Sequence, residues 1–232
     1  MSTVAVVLAG GIGTRMGAEV PKQLLELAGR PLLAHTLASF EAHDGIDEVL
    51  VLMAPDFLAR AEEIAAGFTK VSRVLPGADS RHATTRAALA ALEGAGHGEE
   101  TQVVLHDAAR PLVGAAVIDR CLAALATYDA LTTAIASADT IVEIAGPEPL
   151  LASTPERSTL RRVQTPQCFR LGVIRRAHAL AEADPGFAPT DDATVVRRYL
   201  PQVPVAIVEG DERNLKVTTP TDLLVAERLL AQ

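Results

Sequence analysis

The amino-acid sequence predicts an α/β fold in which helices cover a mostly parallel sheet. Apolar runs built from Val, Leu, Ile and Ala alternate with helix-like segments, and the connections between them are short. Of the 232 residues, 49% are hydrophobic but only 3% are aromatic, so aliphatic side chains must fill the core. Buried parallel strands have this composition. We expect a single domain that spans residues 1–232.

The first half of the chain follows a regular β-α-β-α pattern. Short connections between such units imply right-handed crossovers, so these strands should all run in one direction. Their carboxyl ends should then meet at one edge of the sheet, where functional groups gather in folds of this kind. The predicted strands are Val4–Leu8, Glu48–Met53, Ser72–Leu75 and Gln102–His106, and the predicted helices are Leu32–Glu41, Asp56–Ala66, Arg81–Leu92 and Ala116–Ala126.

Residues 139–161 interrupt this pattern. A β-like run over residues 139–144 precedes a Gly-Pro-Glu-Pro turn at residues 146–149, and the chain then continues to Arg157. A hairpin arm that projects from the body is the simplest interpretation. The pattern after Gln167 predicts helices Leu171–Ala183, Asp191–Arg198 and Thr219–Leu230 and the strand Val203–Val208.

A glycine-rich loop directly after the first strand is the strongest functional signal. Gly10, Gly11 and Gly13 lack the Cβ atom that would keep backbone N–H groups away from phosphate oxygens. Arg15 and Lys22, a few residues downstream, supply the positive charge that a polyphosphate requires. We therefore predict that this loop binds a nucleoside triphosphate.

The loop matches neither of the two common phosphate-binding motifs. The dinucleotide fingerprint needs a final glycine where Met16 stands, and the P-loop needs a lysine after its last glycine, where Ala18 stands. A dinucleotide-dependent oxidoreductase would also carry an acidic residue at the end of the second strand, and Met53-Ala54-Pro55 occupies that place. These features exclude the oxidoreductase class.

A carboxylate stands where a later strand ends. Asp107 follows the apolar run Gln102–His106, so it should share the functional edge with the glycine loop. Mg²⁺ usually takes one or two protein carboxylates and completes its shell with water or phosphate, which makes Asp107 the best metal candidate. Capping the following helix is the alternative role, and it fits less well because Pro111 intervenes. We expect His106 to be a packed histidine.

Short blocks with chemical character occur in order from residue 4 to about residue 228. They are Leu8–Met16 with Pro21–Gln23, His106–Pro111, Asp139–Thr140, Arg157, Gln164–Gln167, Thr190–Ala193 and Asn214–Thr218. The ordered set resembles the cytidylyltransferase family that includes the 2-C-methyl-D-erythritol 4-phosphate and ribitol-5-phosphate enzymes. The resemblance implies a Rossmann-like nucleotidyltransferase domain with a β-arm at about residues 139–161, CTP and a polyol phosphate as substrates, and Mg²⁺ as cofactor. It also implies a homodimer in which the arm completes the partner's substrate site.

The resemblance assigns roles to matching positions. The expected catalytic residues are Arg15, Lys22 and Lys216, with Lys216 at the α-phosphate. The expected nucleotide-binding residues are Ala9, Gly10, Gly11, Gly13, Ala78, Asp79, Thr84, Asp107 and Ala108, where Thr84 replaces an expected serine and Asp107 also binds the metal. The expected acceptor-binding residues are Arg110, Thr140, Arg157 and Thr165, with Arg161 and Arg162 as alternatives to Arg157 as the phosphate clamp.

The sequence leaves two acceptors open. Leu8–Gly11 and Val142 lean toward the ribitol phosphate branch, because methylerythritol enzymes usually have Pro-Ala-Ala-Gly and a lysine at these places. The blocks His106–Pro111, Arg162–Gln167 and Thr190–Ala193 look more like the methylerythritol branch. We favour methylerythritol phosphate, which would place the chain in isoprenoid precursor synthesis.

Charge and composition argue for or against the remaining functional classes, such as nucleic-acid binders and membrane proteins. A net charge of −8 argues against a general nucleic-acid binder, which normally has a basic face. No apolar run reaches the roughly 18 residues of a membrane span, and no basic leader pattern begins the chain, so we expect a cytoplasmic protein without a membrane partner. Cys121 and Cys168 are expected to be separate reduced thiols. A non-catalytic nucleotide-binding module remains the alternative from another class, although Lys22, Asp107 and Lys216 are all present.

Overall fold

The computed structural model describes residues 2–11, 20–184, 186–187 and 189–232. Strands and helices alternate along most of this chain. The strands are β1 (Thr3–Ala9), β2 (Glu26–Leu27), β3 (Arg30–Pro31), β4 (Glu48–Met53), β5 (Val71–Pro76), β6 (Gln102–Asp107), β7 (Ala130–Ala136), β8 (Glu143–Ala145), β9 (Leu150–Ser153), β10 (Arg161–Arg170) and β11 (Val205–Glu209). The helices are α1 (Leu32–Glu41), α2 (Leu58–Ala65), α3 (Arg81–Gly94), α4 (Ala115–Ala124), α5 (Leu171–Glu182), α6 (Asp192–Tyr199) and α7 (Pro220–Leu230).

Seven of these strands form one sheet in the order β11-β7-β10-β6-β1-β4-β5. The pairings β11–β7, β6–β1, β1–β4 and β4–β5 are parallel, and β10 is antiparallel to both of its neighbours. The six strands of this sheet apart from β10 therefore all run in the same direction. The predicted α/β fold with a mostly parallel, helix-covered sheet is confirmed.

The sheet is buried on both faces, and β1 shows this directly. Val4 and Val6 pack into one apolar cluster with side chains of α3, α5 and α6, whereas Ala5 and Val7 pack into a second cluster with side chains of α1, α2 and α4. Successive side chains of a strand point to opposite faces, so a strand covered on both sides needs an unbroken apolar run. No helix among the described residues is long and apolar enough to cross a membrane.

Two central strands, β7 and β10, were not predicted. β7 carries Thr132 and Thr133, and β10 reads as a polar segment with Gln164, Thr165 and Gln167, yet all five side chains are buried. Their hydrogen bonds explain the burial. Gln167 donates to the Thr132 hydroxyl at 2.9 Å, and the Thr133 hydroxyl donates to the carbonyl of residue 166 at 3.0 Å. Satisfied polar groups can occupy a core, but they hide the strand from a hydrophobicity pattern.

The predicted arm is a β-hairpin formed by β8 and β9, with its turn at residues 146–149. Its strands are shorter than the β-like pattern of the sequence, because pairing begins only at Glu143. Every residue from 138 to 154 is exposed. The hairpin leaves the sheet after β7, at the same edge where β1, β4, β5, β6 and β11 end.

Candidate functional site

Three strand ends bring the predicted nucleotide loops together at the carboxyl edge of the sheet. Leu8 pairs with Asp107, and the backbone N–H of Ala108 donates to the Leu8 carbonyl at 3.0 Å. On the other side of β4, Gly77 donates its backbone N–H to the Met53 carbonyl at 2.7 Å. The loops after β1, β5 and β6 therefore begin close together, as the shared strand direction predicts.

A buried glutamine ties the glycine loop to the segment that follows it. Gln23 is 3% exposed, and its side-chain amide donates to the carbonyls of Ala9 and Gly11, each at 2.9 Å. Lys22 precedes this anchor directly, so the anchor holds a predicted cation beside the loop. Two predicted members of the loop lie outside the described residues: Gly13 and Arg15.

The loop predicted to read the base is packed against the glycine loop. A Cβ on Gly10 would lie 3.0 Å from the Thr84 hydroxyl oxygen, so only glycine fits there without a shift. The Thr84 hydroxyl is bonded to the backbone of Ala78, 3.0 Å from its nitrogen and 3.2 Å from its oxygen. Thr84 is buried in this arrangement and closes the loop, whereas Asp79 is exposed and Ser80 caps α3.

Asp107 lies between two cations at the end of β6. Its Oδ2 is 2.7 Å from Nζ of Lys216, and its Oδ1 is 3.3 Å from Nε of Arg81. Burial would raise the pKa of the Asp107 carboxyl, but Lys216 and Arg81 outweigh this effect and hold the pKa well below its usual range. Asp107 is therefore an ionised carboxylate at neutral pH, and Lys216 remains partly accessible.

The loop that carries Lys216 is fastened to the sheet on both sides of that residue. Asn214 is fully buried and donates its side-chain amide to the Thr165 carbonyl at 2.7 Å. Val217 donates its backbone N–H to the Ala109 carbonyl at 2.8 Å. The contact between Lys216 and Asp107 is thus set by backbone anchors on β10 and on the loop after β6.

Arg110 was predicted to bind the acceptor, but the structure places its guanidinium against backbone. The side chain donates to the Asn214 carbonyl at 2.7 Å and to the Val163 carbonyl at 3.4 Å, and the residue is only 9% exposed. This arrangement favours an anchor for the Lys216 loop over a phosphate clamp.

Thr165 and His106 form a hydrogen-bond network with the backbone of Asp107. The Thr165 hydroxyl accepts the backbone N–H of Asp107 at 3.1 Å and lies 3.0 Å from Nδ1 of His106, whose Nε2 lies 3.1 Å from the Arg110 carbonyl. Burial lowers the pKa of His106 to about 4, so the ring is neutral at pH 7. Thr165 is 5% exposed, so in this arrangement it braces Asp107, and His106 is a packed histidine as predicted.

The candidate acceptor residues near the arm are exposed. Arg162 pairs with both carboxylate oxygens of Glu212, at 2.8 and 2.9 Å, and Arg161 donates to two backbone carbonyls at 2.8 Å. Arg157 makes a longer hydrogen bond of 3.3 Å to a backbone carbonyl, and Thr140 lies in the exposed chain before β8. In the part of the chain that the structure describes, none of these four side chains forms a hydrogen bond or ion pair with Asp107 or Lys216.

Arg81 and Asp192 belong to this site, although neither was among the predicted binding residues. Arg81 contacts Asp107, and its Nη1 lies 2.6 Å from Oδ2 of Asp192. The partners are separated by 111 residues, so no local motif could reveal the pair. Asp191, its neighbour, caps α6 and accepts the backbone N–H of Thr194 at 2.7 Å.

The donors at this edge fit a Mg²⁺ ion that arrives on a polyphosphate. No group of three or more His, Cys, Asp or Glu side chains able to hold a metal occurs among the residues described. Asp107 offers an ionised carboxylate, and Asp192 is already engaged by Arg81 and His178. One carboxylate completed by phosphate and water is a usual arrangement for Mg²⁺.

The comparisons agree on one family. The model of "2-C-methyl-D-erythritol 4-phosphate cytidylyltransferase" (IspD) matches residues 3–232. A 2-C-methyl-D-erythritol 4-phosphate cytidylyltransferase from Thermobifida fusca is 50% identical over 231 residues, which cover 97% of this chain and 92% of that protein. The bifunctional ribulose 5-phosphate reductase/CDP-ribitol pyrophosphorylase Bcs1 of Haemophilus influenzae is 37% identical over 97% of this chain and 48% of its own length. The 4-diphosphocytidyl-2C-methyl-D-erythritol synthase structure from Anaerococcus prevotii aligns with a TM-score of 0.86 at 26% identity, covering 100% of this chain and 99% of that chain.

Proposed function

The chain belongs to the 2-C-methyl-D-erythritol 4-phosphate cytidylyltransferase family, and we propose that it transfers CMP from CTP to 2-C-methyl-D-erythritol 4-phosphate with release of pyrophosphate. Family membership confirms the resemblance read from the sequence and the nucleotidyltransferase class that it implies. The observation that carries the proposal at the site is the contact between Lys216 and Asp107, 2.7 Å apart at the sheet edge shared with the glycine loop.

The proposed reaction forms one phosphorus–oxygen bond and breaks another. An oxygen of the acceptor's phosphate attacks the α-phosphorus of CTP, and the bond from that phosphorus to the oxygen bridging to the β-phosphate breaks, so pyrophosphate leaves. The attacking oxygen is already anionic, so the site needs no strong general base. Catalysis instead requires two anions to be held in line and the charge on the α-phosphate to be stabilised.

Three cations of this chain are proposed to meet that requirement. Lys216 is proposed to contact the α-phosphate, because its ammonium is partly accessible and its loop is fastened at Asn214 and Val217. Lys22, held beside the glycine loop by Gln23, is proposed to bind the triphosphate together with Arg15. Positioned charges of this kind act most strongly where water is excluded.

We further propose that Asp107 holds Mg²⁺ when CTP is bound. The metal would supply positive charge to the phosphate groups of CTP. Asp107 would be the protein ligand of the metal, and the neighbouring Lys216 would serve the α-phosphate. The low pKa of the Asp107 carboxyl supports this role, since the ligand is deprotonated before the metal arrives.

The acceptor site is proposed to form between two subunits of a homodimer. The arm exposes a cluster of aliphatic side chains, Ile144, Leu150 and Leu151, each about two-thirds exposed. Clustered exposed apolar side chains mark interaction surfaces. Burial of these side chains against a second copy would bring Arg157, near the base of the arm, into a composite site with Thr140.

The cytoplasm is the proposed compartment, because CTP is made there. Both cysteines are free thiols in the structure, which agrees with a reducing environment.

Ribitol 5-phosphate is a weaker candidate acceptor. The relative whose name includes CDP-ribitol pyrophosphorylase is 37% identical to this chain, against 50% for the methylerythritol relative from Thermobifida fusca. The departures at Leu8–Gly11 and Val142 are the observations that keep this candidate in the test.

Product identification tests the proposal. The purified protein is incubated with CTP, Mg²⁺ and 2-C-methyl-D-erythritol 4-phosphate, and the mixture is followed by phosphorus NMR and mass spectrometry. We expect a cytidine diphosphate ester of methylerythritol and one pyrophosphate for each CTP consumed. Release of CDP or of free phosphate would contradict attack at the α-phosphorus.

A further inference from the structure

Asp192 lies buried behind the proposed CTP site, at the start of α6. Resting on the proposed function, we propose that Asp192 is a positioning residue of that site, which fixes the guanidinium of Arg81 beside Asp107. It acts through Arg81 and not by contact with a substrate.

Asp192 is held by three elements at once, two through its carboxylate and one through its backbone. Oδ2 lies 2.6 Å from Nη1 of Arg81 on α3, and Oδ1 lies 3.1 Å from Nε2 of His178 on α5. Gln167 of β10 accepts the backbone N–H groups of Asp192 and Ala193 at 3.0 and 3.3 Å. Asp192 and His178 are 1% and 2% exposed, so the contact between Asp192 and Arg81 is shielded from water on the Asp192 side.

Arg81 connects the carboxylate of Asp192 with that of Asp107. Its Nη1 is 2.6 Å from Asp192, whereas its Nε is 3.3 Å from Asp107, so Asp192 is its tighter partner. The side chain of Arg81 is 25% exposed, and its Nη2 has no hydrogen-bond partner among the described residues. Arg81 is therefore a fixed positive group next to the carboxylate that Lys216 also contacts.

The ion pair between Arg81 and Asp192 limits how tightly Arg81 binds Asp107. Without Asp192, the guanidinium of Arg81 would be free to form a bidentate ion pair with the Asp107 carboxylate. Guanidinium groups prefer this geometry. Asp107 would then be less able to exchange its partners when nucleotide binds. Asp192 prevents this outcome by directing Nη1 away from Asp107.

The helix itself does not need Asp192. Asp191 caps α6 through its own carboxylate, so helix initiation is served by the preceding residue. Buried ion pairs are also often no more stabilising than apolar replacements. A role in placing Arg81 accounts for a buried charge at this position.

The test uses the full chain and three variants: Asp192→Asn, Arg81→Gln and the double variant. We expect Asp192→Asn to raise the KM for CTP and the Kd for CTP with Mg²⁺ about tenfold or more, the loss typical of a group supporting a ligand-binding residue. The KM for the acceptor should stay unchanged. The double variant should match Arg81→Gln alone, because Asp192 acts only through Arg81.

Asp191→Ala is the matched control. It removes the helix cap next to Asp192, so it should lower the melting temperature without raising the KM for CTP. If Asp192→Asn does not fold, Arg81→Gln and the double variant still decide the question, since the double variant leaves no unpaired arginine charge. Equal KM values for these two support the inference.

An unchanged KM for CTP in Asp192→Asn, or a further rise from Arg81→Gln to the double variant, would overturn the inference. These results are distinct from failure of the proposed function. In that case the wild-type protein itself would transfer no CMP, whereas calorimetric titration with CTP and Mg²⁺ would still report on Asp192.

Discussion

The chain has three lysines, and each has a different setting. Lys22 stands beside the glycine loop, Lys70 donates to the His43 carbonyl at 2.7 Å in a surface loop, and Lys216 contacts Asp107 at the sheet edge. Among the contacts of the described residues, the lysine that lies against a metal-candidate carboxylate is Lys216. Its position supports the role of Lys216 at the α-phosphate.

Replacement of Lys216 tests this role. We expect Lys216→Gln to lower kcat by about 10²- to 10³-fold, the usual loss when one transition-state donor is removed. The melting temperature should change little, because the lysine side chain is 39% exposed. Steady-state pyrophosphate release measures the effect, and Lys70→Gln serves as the matched control. Near-normal turnover of Lys216→Gln would remove Lys216 from the mechanism.

At the scale of single elements, the loop after β11 depends on Arg110. If the guanidinium is an anchor, Arg110→Lys should lower kcat roughly tenfold or more through misplacement of Lys216, while the KM for the acceptor stays unchanged. If it is a phosphate clamp, the KM for the acceptor should rise instead. Steady-state kinetics with varied acceptor separates these outcomes, and Arg157→Ala provides the comparison for a loss of acceptor binding.

A second prediction at this scale concerns the arm and the proposed dimer. We expect Leu150→Ser with Leu151→Ser to convert a dimer into monomers and to reduce turnover, because the arm exposes these side chains for a second copy. Light scattering coupled to gel filtration measures the mass. Leu224→Ser is the matched control, since this leucine of α7 is 67% exposed but lies outside the arm. A monomeric wild-type protein with full activity would contradict the proposed dimer.

Apolar strands were predicted from the sequence, whereas a strand with buried polar side chains was missed. Strands such as β4 were predicted with the observed bounds, because an unbroken apolar run has few alternatives. β10 was missed because several of its buried side chains are polar, and Gln167 and Thr165 are satisfied by partners on β7 and β6. Asp107 and Lys216 were predicted as site residues from short local motifs, and the structure brings them into contact. The link from Arg81 to Asp192 was not predicted, since it forms only after α3 and α6 pack on one face.

At the scale of the whole molecule, stability should depend on pH through His106. Burial lowers the pKa of His106 to about 4 in the folded protein, against roughly 6.5 in an unfolded chain. Between these values the unfolded chain binds more protons, so the free energy of unfolding should fall as the pH drops from about 6.5 to about 4. The loss should be on the order of 3 kcal/mol.

Urea unfolding at a series of pH values between 7 and 4 measures this dependence. His106→Gln should flatten the slope over the same interval, because glutamine does not titrate. An identical slope in the variant would mean that other groups cause the acid sensitivity. The carboxyls of Asp107 and Asp192, whose pKa values are lowered, lose their contribution at lower pH still.

The sheet places the ends of six parallel strands and the start of β10 at one edge, and the proposed chemistry depends on that edge. One measurement tests this account most directly: the rate of pyrophosphate release with CTP and Mg²⁺, with 2-C-methyl-D-erythritol 4-phosphate and D-ribitol 5-phosphate supplied in parallel reactions. We predict a clear preference in kcat/KM for methylerythritol phosphate. A preference for ribitol phosphate, or no release with either acceptor, would contradict the account.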